Sequence, residues 1–213
     1  MSCCPIRSRG PDGELIIMRR AVIKGLVLLP LIVLLAGCFL PDNFQLDIIA
    51  NRDGSYTVDY AGDLIFVPAY AELKQGKGSD RDQAFTGLLE EIRKEPGFKS
   101  AEYKGQARYR VTYHQEGKLD KQPYIFVGDS APIFRIEKRP DGTIELGAAK
   151  LKNEDVTQLK MLELHSHGKV SVKTDGKVVK HNAASQPGFF SKSYGWTVDD
   201  FGREPASMII AQQ

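Results

Sequence analysis

Two histidines stand two residues apart in the C-terminal half of the chain. His165 and His167 alternate with Leu164 and Ser166, and Glu163 precedes them at the same spacing. On a strand, residues two apart project from one face, and paired imidazoles with a carboxylate can bind a transition metal. The sequence nominates no third and fourth ligand and contains no His-Glu-x-x-His motif. We therefore interpret this set as the polar face of a strand and predict no metal site.

The strongest candidate nucleophile is a serine that follows a short apolar run. Gly128-Asp129-Ser130 comes directly after Tyr124–Val127 and resembles the nucleophile block of one class of serine hydrolases. That class also needs an Asp-x-x-His pair near the C-terminus and a parallel sheet flanked by helices, and the sequence offers neither. No Gly-x-Ser-x-Gly motif occurs. We expect Ser130 to lie in a turn that ends a strand, and we predict that the protein is not an enzyme.

Four tyrosines fall on strand faces that the sequence pattern directs inward: Tyr56, Tyr60, Tyr109 and Tyr113. A buried tyrosine needs a hydrogen-bond partner for its hydroxyl, so a core with four of them is unusually polar unless it borders a cavity or groove. Together with Phe134 and Trp196, they form the predicted ligand-binding set. Ordinary sheet packing is the alternative for the same residues. No cofactor is predicted.

The elements that must position these side chains are short strands. Apolar and polar residues alternate over many short runs separated by Asp-Gly pairs, as in antiparallel hairpins. Strands are predicted around 44–60, 106–114, 124–127, 134–136, 144–146, 162–172 and 177–179, and again from 194 and 208, with a short helical turn from Asn153. Helical spacing instead predicts one amphipathic helix over 80–95, on the residues Phe85, Leu88, Leu89 and Ile92. The predicted class is α+β, a curved antiparallel sheet of about eight strands with one packed helix.

The N-terminal region has the layout of a secretory signal. Met18-Arg19-Arg20 and Lys24 precede an uncharged, largely apolar run from Gly25 to Leu40 that contains Pro30. This run has 16 residues, fewer than the ~20 that a membrane-spanning helix needs. Residues 1–17 fit no signal layout, which favours a translation start at Met18.

The apolar run ends in Leu35-Ala36-Gly37-Cys38, which resembles the bacterial lipobox. In that motif the cysteine receives a diacylglycerol and becomes the first residue after cleavage. We therefore predict lipid attachment at Cys38, with residues 1–37 as extension and signal peptide, 38–43 as a tether and 44–213 as a periplasmic domain. Phe39 follows the cysteine in place of the aspartate that resembles an inner-membrane retention signal, so the outer membrane is favoured over the inner one. Cys38 would then be the sole cysteine, and no internal disulfide is expected.

The charge balance excludes a nucleic-acid partner. Five of the 29 basic and two of the 27 acidic residues lie in residues 1–37, so the remainder carries a net charge of −1. A nucleic-acid-binding protein needs a basic face that displaces counterions from phosphates, and none is indicated here.

The last third of the chain carries a further pattern: Gly176-Lys177-Val178-Val179, then His181-Asn182-Ala183, then Tyr194-Gly195-Trp196-Thr197-Val198. This pattern is similar to that of LppM-type bacterial lipoproteins, whose domain is a sheet with a packed helix. The resemblance implies an envelope lipoprotein with a binding module for a lipid or glycolipid. The alternative is a scaffold or assembly lipoprotein that contacts another envelope protein through a sheet edge.

Overall fold

Eleven strands and three helices make up the part of the chain that the structure, a computed structural model, describes: residues 39–76, 82–120, 122–127, 133–189, 191–199, 201 and 203–211. The strands are β1 (Phe39–Ala50), β2 (Ser55–Phe66), β3 (Phe98–Gly105), β4 (Arg108–Lys118), β5 (Tyr124–Phe126), β6 (Phe134–Lys138), β7 (Ile144–Gly147), β8 (Gly168–Lys173), β9 (Lys177–His181), β10 (Tyr194–Val198) and β11 (Ser207–Ala211). The helices are α1 (Val67–Lys74), α2 (Asp82–Lys94) and α3 (Asn153–Met161). The α+β class is confirmed, but the strands form two sheets instead of one. The predicted helix is α2, the helical turn predicted from Asn153 is α3, and α1 was not predicted.

The first sheet has six strands in the order β10-β8-β1-β2-β4-β3. Its centre is the predicted opening hairpin, in which β1 and β2 run antiparallel with Asp47 opposite Asp59. On its other side β1 pairs with β8 in parallel, with Leu46 opposite Val170. The prediction of a wholly antiparallel sheet was therefore wrong. Alternation along a strand indicates which residues share a face, but it does not indicate the direction of the neighbouring strand.

The second sheet has five antiparallel strands in the order β5-β6-β7-β11-β9. Its buried residues, such as Ile136 and Ile144, belong to the same hydrophobic core as Leu46 and Ile48 of the first sheet. Burying apolar area between the two sheets is the main favourable contribution to the stability of such a fold.

Helices cover two further surfaces of the first sheet. Leu89 and Ile92 of α2 are buried in the core between the sheets, as the helical spacing predicts. A second, smaller cluster joins α1, α3 and the start of α2 to the first sheet, and its buried residues are Leu40, Ile65, Val67, Ala69, Tyr70, Phe85, Ala107, Leu159 and Leu164. No helix in the described ranges is long and apolar enough to cross a membrane.

The first strand begins earlier than the sequence suggests. Residues 39–43, predicted as a tether, lie in β1, where Leu40 pairs with Ile65 and Asp42 with Asp63. A bulge follows, with a positive φ of 47° at Asn43 and a shift in register before Gln45. Pro-Asp-Asn is typical of turns, but here the Asp42 side chain makes hydrogen bonds that hold the segment in the sheet.

Candidate functional site

Two of the predicted ligand-binding tyrosines lie wholly inside the core. Tyr60 is 2% exposed and Tyr109 is 0% exposed. The Tyr60 hydroxyl donates to the backbone carbonyl of Asp63 at 2.8 Å, and the Tyr109 hydroxyl donates to the carbonyl of Phe85 at 3.3 Å. Both hydroxyls are thus satisfied by the protein backbone, as a buried phenol requires.

A second group of tyrosines meets at the boundary between the two sheets. The Tyr124 hydroxyl donates to that of Tyr113 at 3.2 Å, and the Tyr113 hydroxyl donates to the side-chain oxygen of Gln115. Burial raises the pKa of Tyr56 and the nearby Gln115 side chain opposes that rise, and the Tyr56 ring centroid lies 4.7 Å from that of Tyr124. Tyr56 and Gln115 are half-buried, so this end of the network reaches solvent. We call these four residues the tyrosine rim.

The rim continues inward as an aromatic layer. Phe126 lies between the sheets, with its ring centroid 5.0 Å from that of Tyr60 and 4.8 Å from that of Tyr113. Phe134 pairs with Phe126 across the second sheet and is buried in the same core. The result is a polar rim of hydroxyl and amide groups above an apolar aromatic interior.

Trp196 does not join the rim. It lies on β10, at the edge of the first sheet, whereas Tyr56 and Tyr113 lie on β2 and β4. Its indole nitrogen donates to the side-chain oxygen of Asn182 at 2.7 Å. Asn182 also donates to the carbonyl of Pro205 and accepts from the amide of Ser207. Asn182 therefore connects β10 to the start of β11, the structural role that the sequence favours for an asparagine beside a hairpin.

Burial raises the pKa of the tyrosines in the core. Loss of solvent around the phenol raises the pKa of Tyr109 from 10.0 to about 12, with a smaller contribution from Tyr103. Burial also raises the pKa of Tyr60, Tyr113 and Tyr124. The neutral phenol is the favoured form in every case because a buried phenolate lacks solvation.

These shifts predict alkaline unfolding. Because the pKa of Tyr109 is higher in the folded chain than in the unfolded one, its contribution to stability is complete below pH 10 and is lost as the pH rises towards about 12. We expect tyrosinate absorbance from the buried tyrosines to appear together with the loss of the circular-dichroism signal of the sheets. Tyrosinate formation by all eight tyrosines near pH 10 with an intact sheet signal would contradict this assignment.

A buried ion-pair cluster lies on the opposite face of the first sheet, where the sequence predicts only outward-facing polar residues. Asp63 accepts from Arg110 twice, at 2.5 Å and 3.1 Å. Asp42 accepts from Arg108 at 3.1 Å and from the backbone amide of His167 at 3.0 Å. Only 6% of each aspartate is exposed. The register between neighbouring strands brings these charges together, and the alternation of residues within one strand does not reveal that register.

The ion-pair cluster holds chain segments in place and offers no nucleophile. The Ser166 hydroxyl donates to the carbonyl of Pro41 at 2.7 Å, and the amide of Phe44 donates to the carbonyl of His167 at 3.1 Å. Together with the bond from His167 to Asp42, these contacts bind the segment before β8 to the bulge in β1. Each carboxylate is paired with an arginine, which compensates for its loss of solvation.

The predicted strand through the two histidines was wrong. Residues 164–167 are irregular and β8 begins only at Gly168, because α3 extends to Met161 and Glu163 has a φ of +55°. The Glu163 carboxylate pairs with Lys74 at 2.7 Å, and the ring centroids of His165 and His167 lie 5.9 Å apart. Within the described residues, no three His, Cys, Asp or Glu side chains form a group that could hold a metal. Ser130 and Cys38 lie outside the described residues.

A surface groove of about 370 Å³ lies between β7 and the segment that leads into β11. Its charged lining residues are of both signs: Arg135, Glu145, Lys150 and Glu204. Glu145 is already paired with Arg139 at 2.6 Å. None of the predicted ligand-binding residues lines this groove.

Three kinds of comparison with known proteins were informative to different degrees. No protein-family model matches the chain, and no curated protein matches it in sequence. Among solved structures, the chain is similar to the folded domain of LppM from Mycobacterium tuberculosis, with a TM-score of 0.34 and 8% identity over 82% of this chain and 92% of that chain. Values this low do not carry a family assignment, so the resemblance in the last third of the sequence stays a prediction.

Proposed function

We propose that the chain is a lipid-anchored lipoprotein of the bacterial envelope whose periplasmic domain binds without catalysing a reaction. The observation that carries the anchor is Leu35-Ala36-Gly37-Cys38 at the end of an apolar run. A cut before Cys38 would leave the whole of β1 in the mature chain, since this strand spans Phe39–Ala50. Several acyl chains on one cysteine give a stable anchor, since each buried methylene contributes ~0.8 kcal/mol. Phe39 favours the outer membrane.

Replacing Cys38 tests the anchor. In the Cys38→Ser variant we expect no incorporation of labelled palmitate and an uncleaved precursor, because the acyl acceptor is gone. A double variant, Cys3→Ser with Cys4→Ser, is the matched control and should be acylated and cleaved as in the wild type. A cleaved product from Cys38→Ser that stays in the aqueous phase on detergent partitioning would refute the assignment.

For the domain itself we propose binding of an amphiphile, a lipid or glycolipid, at the tyrosine rim. The supporting observation is that the Tyr113 hydroxyl donates to the Gln115 side chain beside half-buried Tyr56, above an aromatic interior. Gly117 lets the Tyr56 side chain pack directly over β4, since a Cβ there would lie 2.5 Å from the Tyr56 hydroxyl. In such a complex the rim would orient the polar headgroup, and the apolar chain would reach Phe126, which is 1% exposed, only by entering between the two sheets.

Two tyrosine variants separate binding from packing. Tyr56→Phe removes a half-exposed hydroxyl, so we expect Kd for fluorescent phosphatidylglycerol or glycosyl diacylglycerol to rise about two- to tenfold with little loss of stability. Tyr109→Phe is the matched interior control and should cost about 1 kcal/mol of stability with Kd unchanged. Absence of binding by the wild type at every lipid concentration would contradict the amphiphile proposal.

The scaffold alternative rests on an open sheet edge. In the described part of the chain, β9 pairs with β11 and with no other strand, and Val179 on it is 60% exposed. A partner segment could add a strand there. A photo-crosslinking residue at Val179 should then give a discrete adduct in intact cells, and the same residue at exposed Ile49 should give none. Equal labelling at both positions would count against this edge as an interface.

A further inference from the structure

β1 begins at Phe39, the residue directly after Cys38. Phe39 is paired with Phe66 and Leu40 with Ile65, and Leu40 is already buried. Consecutive Cα atoms are 3.8 Å apart, so the residue that would carry the acyl chains lies one step from the sheet. A domain joined in this way cannot move away from the bilayer as a domain on a flexible tether can.

Aromatic side chains occupy the end of the domain at which β1 begins. The rings of Phe39 and Phe66 lie 5.4 Å apart, and both side chains are half-buried. The β3–β4 turn lies beside them, because the amide of Phe66 donates to the carbonyl of Ala107 at 2.9 Å, and Gln106 in this turn is exposed. We call this region the anchor-proximal end. Aromatic residues are enriched where proteins meet the headgroup region of a membrane.

The charges of β1, β2 and β3 nearest to this end are paired, and exposed Lys104 pairs with Glu102 beside the β3–β4 turn. Asp42 and Asp63 are the closest acidic residues along β1 and β2, and both are buried against arginines. Their charges are therefore screened from lipid headgroups by compensating cations.

The opposite end of the first sheet lies far from the anchor. β1 has 12 residues, and a strand rises about 3.3 Å per residue, which places its far end roughly 35–40 Å from Phe39. The turn at Arg52 lies there, and so does Lys118, which pairs with Ser55. Val172 pairs with Ile48 on one side and with Tyr194 on the other, so Tyr194 lies at the height of Ile48, near the far end of β1. The loop that carries Phe189 leads into β10 at Tyr194 and therefore lies towards this anchor-distal end.

We propose that the anchor-proximal end rests on the bilayer that holds the acyl chains and gives the domain one fixed orientation, with the Phe189 loop directed away from that bilayer. This inference rests on the proposed acylation of Cys38. The occupant of the surface around Phe39, Phe66 and Gln106 is a lipid headgroup layer. Phe189, which is 97% exposed, is then presented to the periplasm.

Paramagnetic relaxation on a nanodisc tests the orientation. Residues 38–213, the proposed mature chain, are joined through the Cys38 thiol to a maleimide-bearing lipid in nanodiscs of phosphatidylethanolamine and phosphatidylglycerol that contain a gadolinium-chelating lipid. We expect the amide signals of Gln106 and Phe66 to be lost and those of Arg52 and Lys118 to remain. The direct coupling makes this result independent of acylation in the cell, which the palmitate experiment measures separately.

A Gly-Ser spacer inserted between Cys38 and Phe39 is the matched control. With the spacer, the signals of Gln106 and Phe66 should return towards the intensities of Arg52 and Lys118, since the domain can then leave the surface. If the proximal signals stay lost despite the spacer, the anchor-proximal end binds headgroups through its own contacts, which also supports the proposal. Equal attenuation of proximal and distal signals without a spacer would overturn it.

Discussion

Replacing Asp42 by alanine is expected to lower the free energy of unfolding by about 3 kcal/mol, as expected for breaking a buried ion pair. The variant leaves the Arg108 guanidinium and the His167 amide without their acceptor. It also releases the segment before β8 from the bulge in β1. The effect can be measured by urea unfolding, followed through the fluorescence of Trp196, the only tryptophan of the chain.

The control for this variant is Asp47→Ala on the same strand. Asp47 is exposed, and its carboxylate accepts a hydrogen bond from the nearby Gln45 side chain. We expect a change within ±0.5 kcal/mol, typical of surface substitutions. If Asp42→Ala costs no more than Asp47→Ala, the ion-pair cluster does not hold these segments together.

Leu89→Ala should cost ~2–5 kcal/mol, because it removes a buried side chain and leaves a cavity in the core between the sheets. Leu89 is 9% exposed and belongs to the same core cluster as Leu46 and Ile144. The measurement is the same urea titration. Glu91→Ala on the exposed side of α2 removes only a surface ion pair with Lys94 and should change stability by less than ~1 kcal/mol. Similar losses for both variants would mean that the helix buries a different face.

From the sequence, the buried face of a helix or strand could be predicted better than the strand that pairs with it. The apolar period over 80–95 correctly identified α2 and the burial of Leu89, since a helix face can be read from local spacing. Alternation likewise placed Tyr60, Tyr109 and Tyr113 inward, and all three are buried. α1 was missed because it has only eight residues and its apolar residues form no clear stripe. The assembly into two sheets depends on pairings between distant strands, which no local pattern encodes.

The same limit applies to the candidate site. The tyrosines were identifiable as polar residues on apolar faces, but the acceptors of their hydroxyls, such as the carbonyl of Phe85 and the amide of Gln115, follow from packing. The ion-pair cluster was not foreseen, because Asp42 and Arg108 come together only through the register of three strands. Asp42 was assigned to a tether because its neighbours Pro41 and Asn43 are typical of turns.

The parallel pairing of β1 with β8 has a consequence for how the domain folds during synthesis. Asp42 and His167 bond to each other across 125 residues of sequence, so the central strand of the first sheet acquires its second neighbour late in synthesis. Contacts between such distant segments slow folding, because the loop between them must close first. A chain synthesised from its N-terminus would therefore display one unpaired edge of β1 until the last third has followed. During that interval the nascent domain would be exposed to aggregation through this edge.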